Sequence, residues 1–219
     1  MKPGPQPDPM TIPGVMLKSV QKKTITDRVQ LPRLYLAWLT PRHFEPGDAA
    51  LDMVSAVLAG GKNSRLYKRL VYDMQIAQDV SAFQASQSLS SSFQIIATPR
   101  PGHTVAELQK VIDEELQKLQ REAPAARELE RSVNQVEASF YNRMEKVGGF
   151  GGKADQLNYY RAFTGDPDYF EKDLARYRAL TPEDIQRVAR EYLAKPHRVV
   201  LSVVPQGKTD LAVKKGVTP

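Results

Sequence analysis

The chain has 219 residues, with 41% hydrophobic and 26% charged side chains, 31 Lys+Arg against 25 Asp+Glu, and no cysteine. That length and composition suit one substantial globular core and exclude a disordered chain. The missing cysteine removes disulfides, thiolate metal sites and cysteine nucleophiles. The formal charge of +6 would suit an acidic partner or nucleic acid. However, acids and bases alternate along helical stretches such as Glu130 to Lys146, which reads as a solvated surface, and no basic run or nucleic-acid-binding module is present.

Residues 1–19 read as a Pro-rich interdomain linker, since Pro3, Pro5, Pro7, Pro9 and Pro13 favour an extended backbone without donors. A chain that opens on a linker is expected to be a piece of a longer polypeptide. Its start has no apolar run of the signal-peptide kind, and no later run reaches the ~18 residues of a membrane helix. Strand character begins near Val20. Leu34 to Leu39 is apolar on both faces and too short for a buried helix, so it reads as a central strand. Pro46-Gly47-Asp48 opens a helix with Asp48 as its expected N-cap, and Leu51, Val54 and Leu58 share one face before Gly60-Gly61 end it. Asn63-Ser64 is expected to cap the next, short basic helix, whose stripe is Leu66, Leu70 and Met74.

From Ala77 the period shifts to two, predicting strands over 77–84 and 91–98 joined by a serine-rich hairpin, with Val80, Ala82 and Gln78 on one face. Thr104 to Glu107 forms a capping-box pattern before a long helix carrying Leu108, Ile112, Leu116 and Leu119. A second long helix follows Pro124 and stops at Gly148. Another covers 153–163, and Asp166-Pro167 and Thr181-Pro182 mark two further starts. Val199 to Val204 is the closing strand, and 206–219 is expected to be a disordered tail. The order is not strictly alternating. It predicts an α+β fold in which a mostly antiparallel sheet of about five strands is packed by about six helices, in one domain over 20–205.

Chemical motifs are few. His43, His103 and His197 are the only histidines, each expected in an exposed turn and none with the H-x-x-E-H partner of a helical zinc site. The cluster Gly148-Gly149-Phe150-Gly151-Gly152-Lys153 lacks the first glycine and the Ser/Thr of a phosphate loop and joins two helices, so it reads as a joint between them. The serines of 86–92 have no nucleophile elbow around them and read as a solvated hairpin.

Gly60-Gly61, then Ser64-Arg65-Leu66-Tyr67 and an apolar strand, resembles the second domain of a half-molecule in the insulinase/pitrilysin-type zinc metallopeptidases, relatives of mitochondrial processing peptidase. The helix order down to Thr181–Leu193 and Arg198–Pro205 extends the resemblance over about four fifths of the chain. The resemblance implies a metallopeptidase half-domain fold. It also implies a non-catalytic domain that helps form the peptide-binding chamber of an intact zinc protease acting through metal-activated water. No cofactor is expected in this chain, with zinc in another domain of the intact protein. Its expected partners are other domains of the same polypeptide or a zinc-bearing subunit, with a peptide as substrate and neither nucleic acid nor a membrane span. A periplasmic or cell-envelope location follows from the resemblance. The same likeness leaves a second role open, a degenerate assembly subunit like the core proteins of a respiratory complex. No catalytic residue carries over: active relatives place an arginine and a tyrosine where this chain has Val71 and Gln78. Those two positions are expected to share one surface, and Arg65, Tyr67 and Gln78 are the candidate contacts to a substrate or partner.

Overall fold

The computed structural model describes Met10, Val15 and residues 17–213. The five prolines of the expected linker and the last six residues therefore lie outside the described residues. The strands β1 (Gln21–Asp27), β2 (Arg33–Thr40), β3 (Ala77–Ala85), β4 (Ser91–Pro99) and β5 (Arg198–Pro205) form one sheet in the order β1-β5-β2-β4-β3. Every neighbouring pair is antiparallel except β1 with β5, which run parallel. The helices are α1 (Asp48–Ala59), α2 (Val105–Arg121), α3 (Ala126–Glu145), α4 (Lys153–Thr164), α5 (Phe170–Arg178) and α6 (Pro182–Tyr192). The α+β architecture expected from the sequence is the one observed.

On β2, β4 and β5 alternate residues are buried and those between are only partly covered. Helices therefore cover one face of the sheet. Leu34, Leu36 and Trp38 from β2, Phe93, Ile95 and Ala97 from β4 and Val200 from β5 join α1, α2 and α6 in a single core. Both capping boxes before α2 and α6 are present: Thr104 and Thr181 each accept from the backbone N–H three residues on, and Glu107 and Asp184 accept from the capping residue's own N–H. Trp38 donates its indole N–H to the Ala194 carbonyl at 3.1 Å. That bond ties the central strand to the end of α6.

Several local expectations are corrected. Gly47, not Asp48, precedes α1, in a left-handed conformation with φ 96°. Of the two glycines that end α1, Gly61 takes the left-handed conformation at φ 89°, whereas Gly60 has φ −76° and is required because a Cβ there would lie 2.4 Å from the Ala56 carbonyl oxygen. Ser64 does not cap; its hydroxyl donates back to the Gly61 carbonyl at 2.6 Å. The hinge helix Tyr67–Asp73 has the wider π pitch, with Met74 N–H bonded to the Arg69 carbonyl five residues back. The extra residue per turn keeps Leu66 and Leu70 buried but swings Met74 out to 45% exposure. A bulge at Gln78, between the Ala77–Pro99 and Asp79–Thr98 pairs, shifts the alternation of β3 by one. Gln78 therefore points away from the face of Val80 and is exposed. The helix expected at Pro167 starts only at Phe170, because the Asp166 carboxylate accepts from Asp168 N–H and holds a turn. Within the expected tail, Thr209–Leu211 form a short 3₁₀ turn, Ala212 is buried, and Val213 N–H donates to the Ser202 hydroxyl on β5.

Leu36 is fully buried, whereas Ile25 on the edge strand is 41% exposed. Leu36→Ala is expected to cost about 2–5 kcal/mol in urea unfolding, and Ile25→Ala no more than about 0.5 kcal/mol.

Candidate functional site

A cleft of about 670 Å³ opens beside the edge strand β3, within the size range of ligand pockets. Asp52, Ser55 and Ala56 of α1 and Ala82 and Gln84 of β3 line one side. Ser132, Gln135 and Phe140 of α3, Gln156 and Tyr159 of α4, and Asp173 and Tyr177 of α5 line the other. Helices α3 and α5 pack on α1 and α4 on α3, which sets the two walls apart.

Asp48 governs this region. It is the first residue of α1 and is fully buried. Gly47 turns the chain so that the carboxylate points back into the preceding loop. There it meets His43 Nδ1 at 2.9 Å and accepts from Phe44 N–H at 3.1 Å and from the Ser86 hydroxyl at 2.6 Å. The Gln84 amide reaches it at 3.4 Å and the Arg176 guanidinium at 3.3 Å. Burial alone would push this carboxyl up, but the bonds from His43 and Ser86 outweigh it and hold the group below the usual aspartate range. Arg176 also bonds Asp173 at 2.8 Å, and Tyr160 donates its hydroxyl to Asp173 at 3.1 Å. Burial would lower the Arg176 pKa, but Asp173, Tyr177 and Asp48 reverse the direction.

The loop beneath α1 is strained. Phe44 has φ 65°, a left-handed conformation that costs a non-glycine residue of order 1–3 kcal/mol. Its N–H bond to Asp48 and its ring contacts hold it there. The ring lies against His43, Tyr159, Tyr160, Phe163 and Tyr169, with the Arg176 guanidinium 4.8 Å from its centroid. This aromatic cluster anchors α4, a helix with little buried apolar surface of its own.

Asp52, one turn after Asp48, behaves oppositely. Burial pushes its carboxyl up to about 7, the Tyr177 hydroxyl bonded at 2.8 Å opposes the shift, and the Asp48 charge adds to it. The same pair raises Tyr177 well above the ordinary tyrosine value, burial being the larger cause.

The geometry rules on chemistry. Ser86 donates to Asp48 and His43 bonds the same carboxylate, so the hydroxyl is not bonded to the ring as a nucleophile–base pair requires. A zinc ion does not fit the Asp48–Asp52 helical turn: the buried carboxylate already meets five protein donors, and the other acid is held towards its neutral form. Among the described residues no group of three or more His, Cys, Asp or Glu is disposed to hold a metal ion.

The sequence-nominated residues lie elsewhere. Arg65 makes a two-pronged ion pair with Glu128 of α3 at 2.9 and 2.8 Å. Tyr67 and Val71 are half-buried against the core, and Gln78 sits exposed in the β3 bulge. None of the four lines the cleft. Arg69 completes the hinge's attachment by pairing with Glu114 and Glu115 of α2. His43, expected to be an exposed turn residue, has a side chain only 11% exposed. Ser86 and Ser91 are structural partners within the hairpin, Ser86 of Asp48 and Ser91 of the Gln87 N–H.

Comparison with known proteins matches residues 2–136, more than half of the chain, to the family described as the peptidase M16 inactive domain. The chain belongs to the M16 peptidase inactive-domain family. The zinc protease PqqE of Helicobacter pylori is 26% identical over 179 residues, which is 82% of this chain and 39% of that protein. A zinc protease of Streptomyces coelicolor, described as uncharacterized, is 25% identical over 155 residues, 71% of this chain and 32% of that protein. The crystal structure of a protease from Helicobacter pylori shares the fold with a TM-score of 0.80 at 22% identity, over 94% of this chain and 48% of the other. This M16 domain thus spans between 32% and 39% of the length of the two relatives matched by sequence.

The folded Asp52 carboxyl stays protonated towards pH 7, whereas an unfolded aspartate ionises near pH 4. The native state therefore binds the extra proton, and stability falls as pH rises from about 4 through about 7. Asp52→Asn removes this loss. It is expected to raise stability at pH 8 by roughly 1–3 kcal/mol and to flatten the dependence over that window, as read by denaturant unfolding at each pH.

Proposed function

We propose that this M16 domain is the non-catalytic companion of a zinc-bearing domain in a longer peptidase, and that its cleft forms part of the wall of a peptide-sized chamber. The observation that carries the reading is the Asp48 carboxylate. At the start of the helix that borders the cleft stands an acid committed to His43, Phe44, Ser86, Gln84 and Arg176. The cleft therefore offers hydrogen-bonding groups, and although His43, Asp52, Asp155 and Asp173 line it, no three such side chains are disposed to hold a metal ion among the described residues. Metal-assisted hydrolysis belongs to another domain, where zinc supplies an activated water.

Family membership and the zinc-protease names of the relatives support this reading. So does the lining, in which Gln84, Gln135, Gln156 and Ser55 alternate with Phe140, Tyr159 and Tyr177. Amides and hydroxyls beside aromatic faces suit a peptide main chain, and Asp52, Asp155, Asp173 and Arg143 add charges of both signs to the lining. Gln78, exposed on the edge strand beside the cleft, is available as a contact to peptide or neighbouring domain, while Arg65 and Tyr67 hold the hinge in place.

The purified 219-residue chain is expected to cleave no unstructured fluorogenic peptide, with or without added zinc. In the longer polypeptide, Gln135→Trp, which fills the cleft from an exposed position on α3, is expected to raise KM several-fold with little change in kcat. Zinc-dependent cleavage by the chain alone, or an unchanged KM in the variant, contradicts the proposal.

A further inference from the structure

Arg143 stands in the last turn of α3 and lines the cleft. Its guanidinium carbon lies 4.7 Å from the Phe140 ring centroid, and its Nε donates to the Ser139 carbonyl at 3.3 Å. Phe140 is buried and set against Phe170 and Tyr177, with ring centroids 5.6 Å apart in both pairs. The platform under the guanidinium is therefore fixed. Its charge reaches Tyr159 and Tyr160 of α4, where it opposes the upward push that burial gives both hydroxyls.

Arg65, Arg69, Arg176 and Arg198 each hold a carboxylate. Arg143 holds none, and its Nη1 and Nη2 make no hydrogen bond among the described residues. A guanidinium carries five donors in a planar fork that matches a carboxylate, and here only the Nε donor is used. The acids that share the lining are already engaged. Asp173 bonds Arg176 at 2.8 Å, Asp155 accepts from Gly151 N–H at 2.9 Å, and Asp52 accepts from the Tyr177 hydroxyl at 2.8 Å.

We propose that Arg143 receives a carboxylate of the peptide, either an acidic side chain or the peptide's own C-terminus. The inference rests on the reading of the cleft as a peptide site and names the class of peptide it selects. Stacking on Phe140 and the bond to Ser139 hold the guanidinium in place before a ligand arrives, so little rotamer freedom is left to lose. An incoming carboxylate can then take two parallel charge-assisted hydrogen bonds from the open edge of the fork.

The test uses the 219-residue chain and a dye-labelled flexible peptide blocked at both ends, read by fluorescence anisotropy. The peptide carries aspartates, or asparagine or lysine in their place, and a further form of the asparagine peptide has a free C-terminus. The aspartate form, the free C-terminus or both are expected to bind about tenfold or more tighter than the blocked asparagine peptide. Whichever gains identifies the source of the carboxylate. Arg143→Gln is expected to erase the gain and leave the blocked asparagine peptide bound as before, and Arg143→Glu to shift the preference to the lysine peptide. Lys110→Gln, exposed on α2, removes the same unit of charge away from the cleft and should leave the gain intact. An equal loss in Lys110→Gln overturns the proposal, because the preference then comes from overall charge. So does a gain that survives Arg143→Gln, or a chain that binds none of the peptides or all of them alike. Where all bind alike and Gln135→Trp weakens each, the peptide reading of the cleft stands without this inference. Where binding depends on Arg143 but the longer polypeptide cleaves no peptide, this inference stands and the peptidase reading falls.

Discussion

The Asp48 carboxylate is the constraint on which the cleft depends. A buried anion persists only when enough donors replace water, and here those donors come from three separate parts of the chain. The loop before α1 gives His43 and Phe44, the end of β3 and its hairpin give Gln84 and Ser86, and α5 gives Arg176. Satisfying one carboxylate therefore fixes where the loop, the edge strand and a helix more than a hundred residues away meet. The left-handed Phe44 and the aromatic cluster that seats α4 follow from the same anchorage.

The hinge uses a different device for the same end. Arg65 is bound to Glu128, and Arg69 to Glu114 and Glu115, so the π-helical segment is clamped to α3 and α2 by ion pairs. The Arg65 pair is largely shielded, at 15% and 26% side-chain exposure. The Glu128 carboxyl accordingly sits below the usual glutamate range, its bond to Arg65 being the main cause. With α1 fixed through Asp48 and α3 through Glu128, the two walls of the cleft are held by charged contacts and its floor by the apolar core. That division leaves the lining polar without weakening the fold.

Much of the fold was legible in local pattern. The both-sided apolar run of β2, the alternation of β4 and the capping boxes at Thr104 and Thr181 each depend on residues close in sequence. What escaped depended on partners far away. Asp48 reads as an N-cap because Pro-Gly-Asp before an apolar helix is what a cap looks like; its role comes from Arg176 and Ser86, which no local spacing announces. A second acid one turn on, Asp52, in a helix otherwise rich in Ala, Leu and Val, was the signal available for a buried polar site. The π pitch of the hinge and the bulge at Gln78 each add one residue to a repeat, and a fixed period carried across them assigns Met74 and Gln78 to the wrong face. The resemblance located the family correctly and pointed to the hinge as the place of contact, whereas the cleft runs along α1 from Asp52 to Gly60 and takes in the far end of β3 at Ala82 and Gln84.

The most direct test of the Asp48 anchorage is a double-mutant cycle in denaturant unfolding with Asp48→Ala, Arg176→Ala and the two combined. Asp48→Ala takes the shared acceptor from five donors and Arg176→Ala leaves Asp48 and Asp173 each one donor short; each is predicted to cost about 3–5 kcal/mol. The double change should cost less than their sum by at least about 1 kcal/mol, because the two side chains share one network. Additive losses, or single losses below about 1 kcal/mol, would contradict the central place given to this carboxylate.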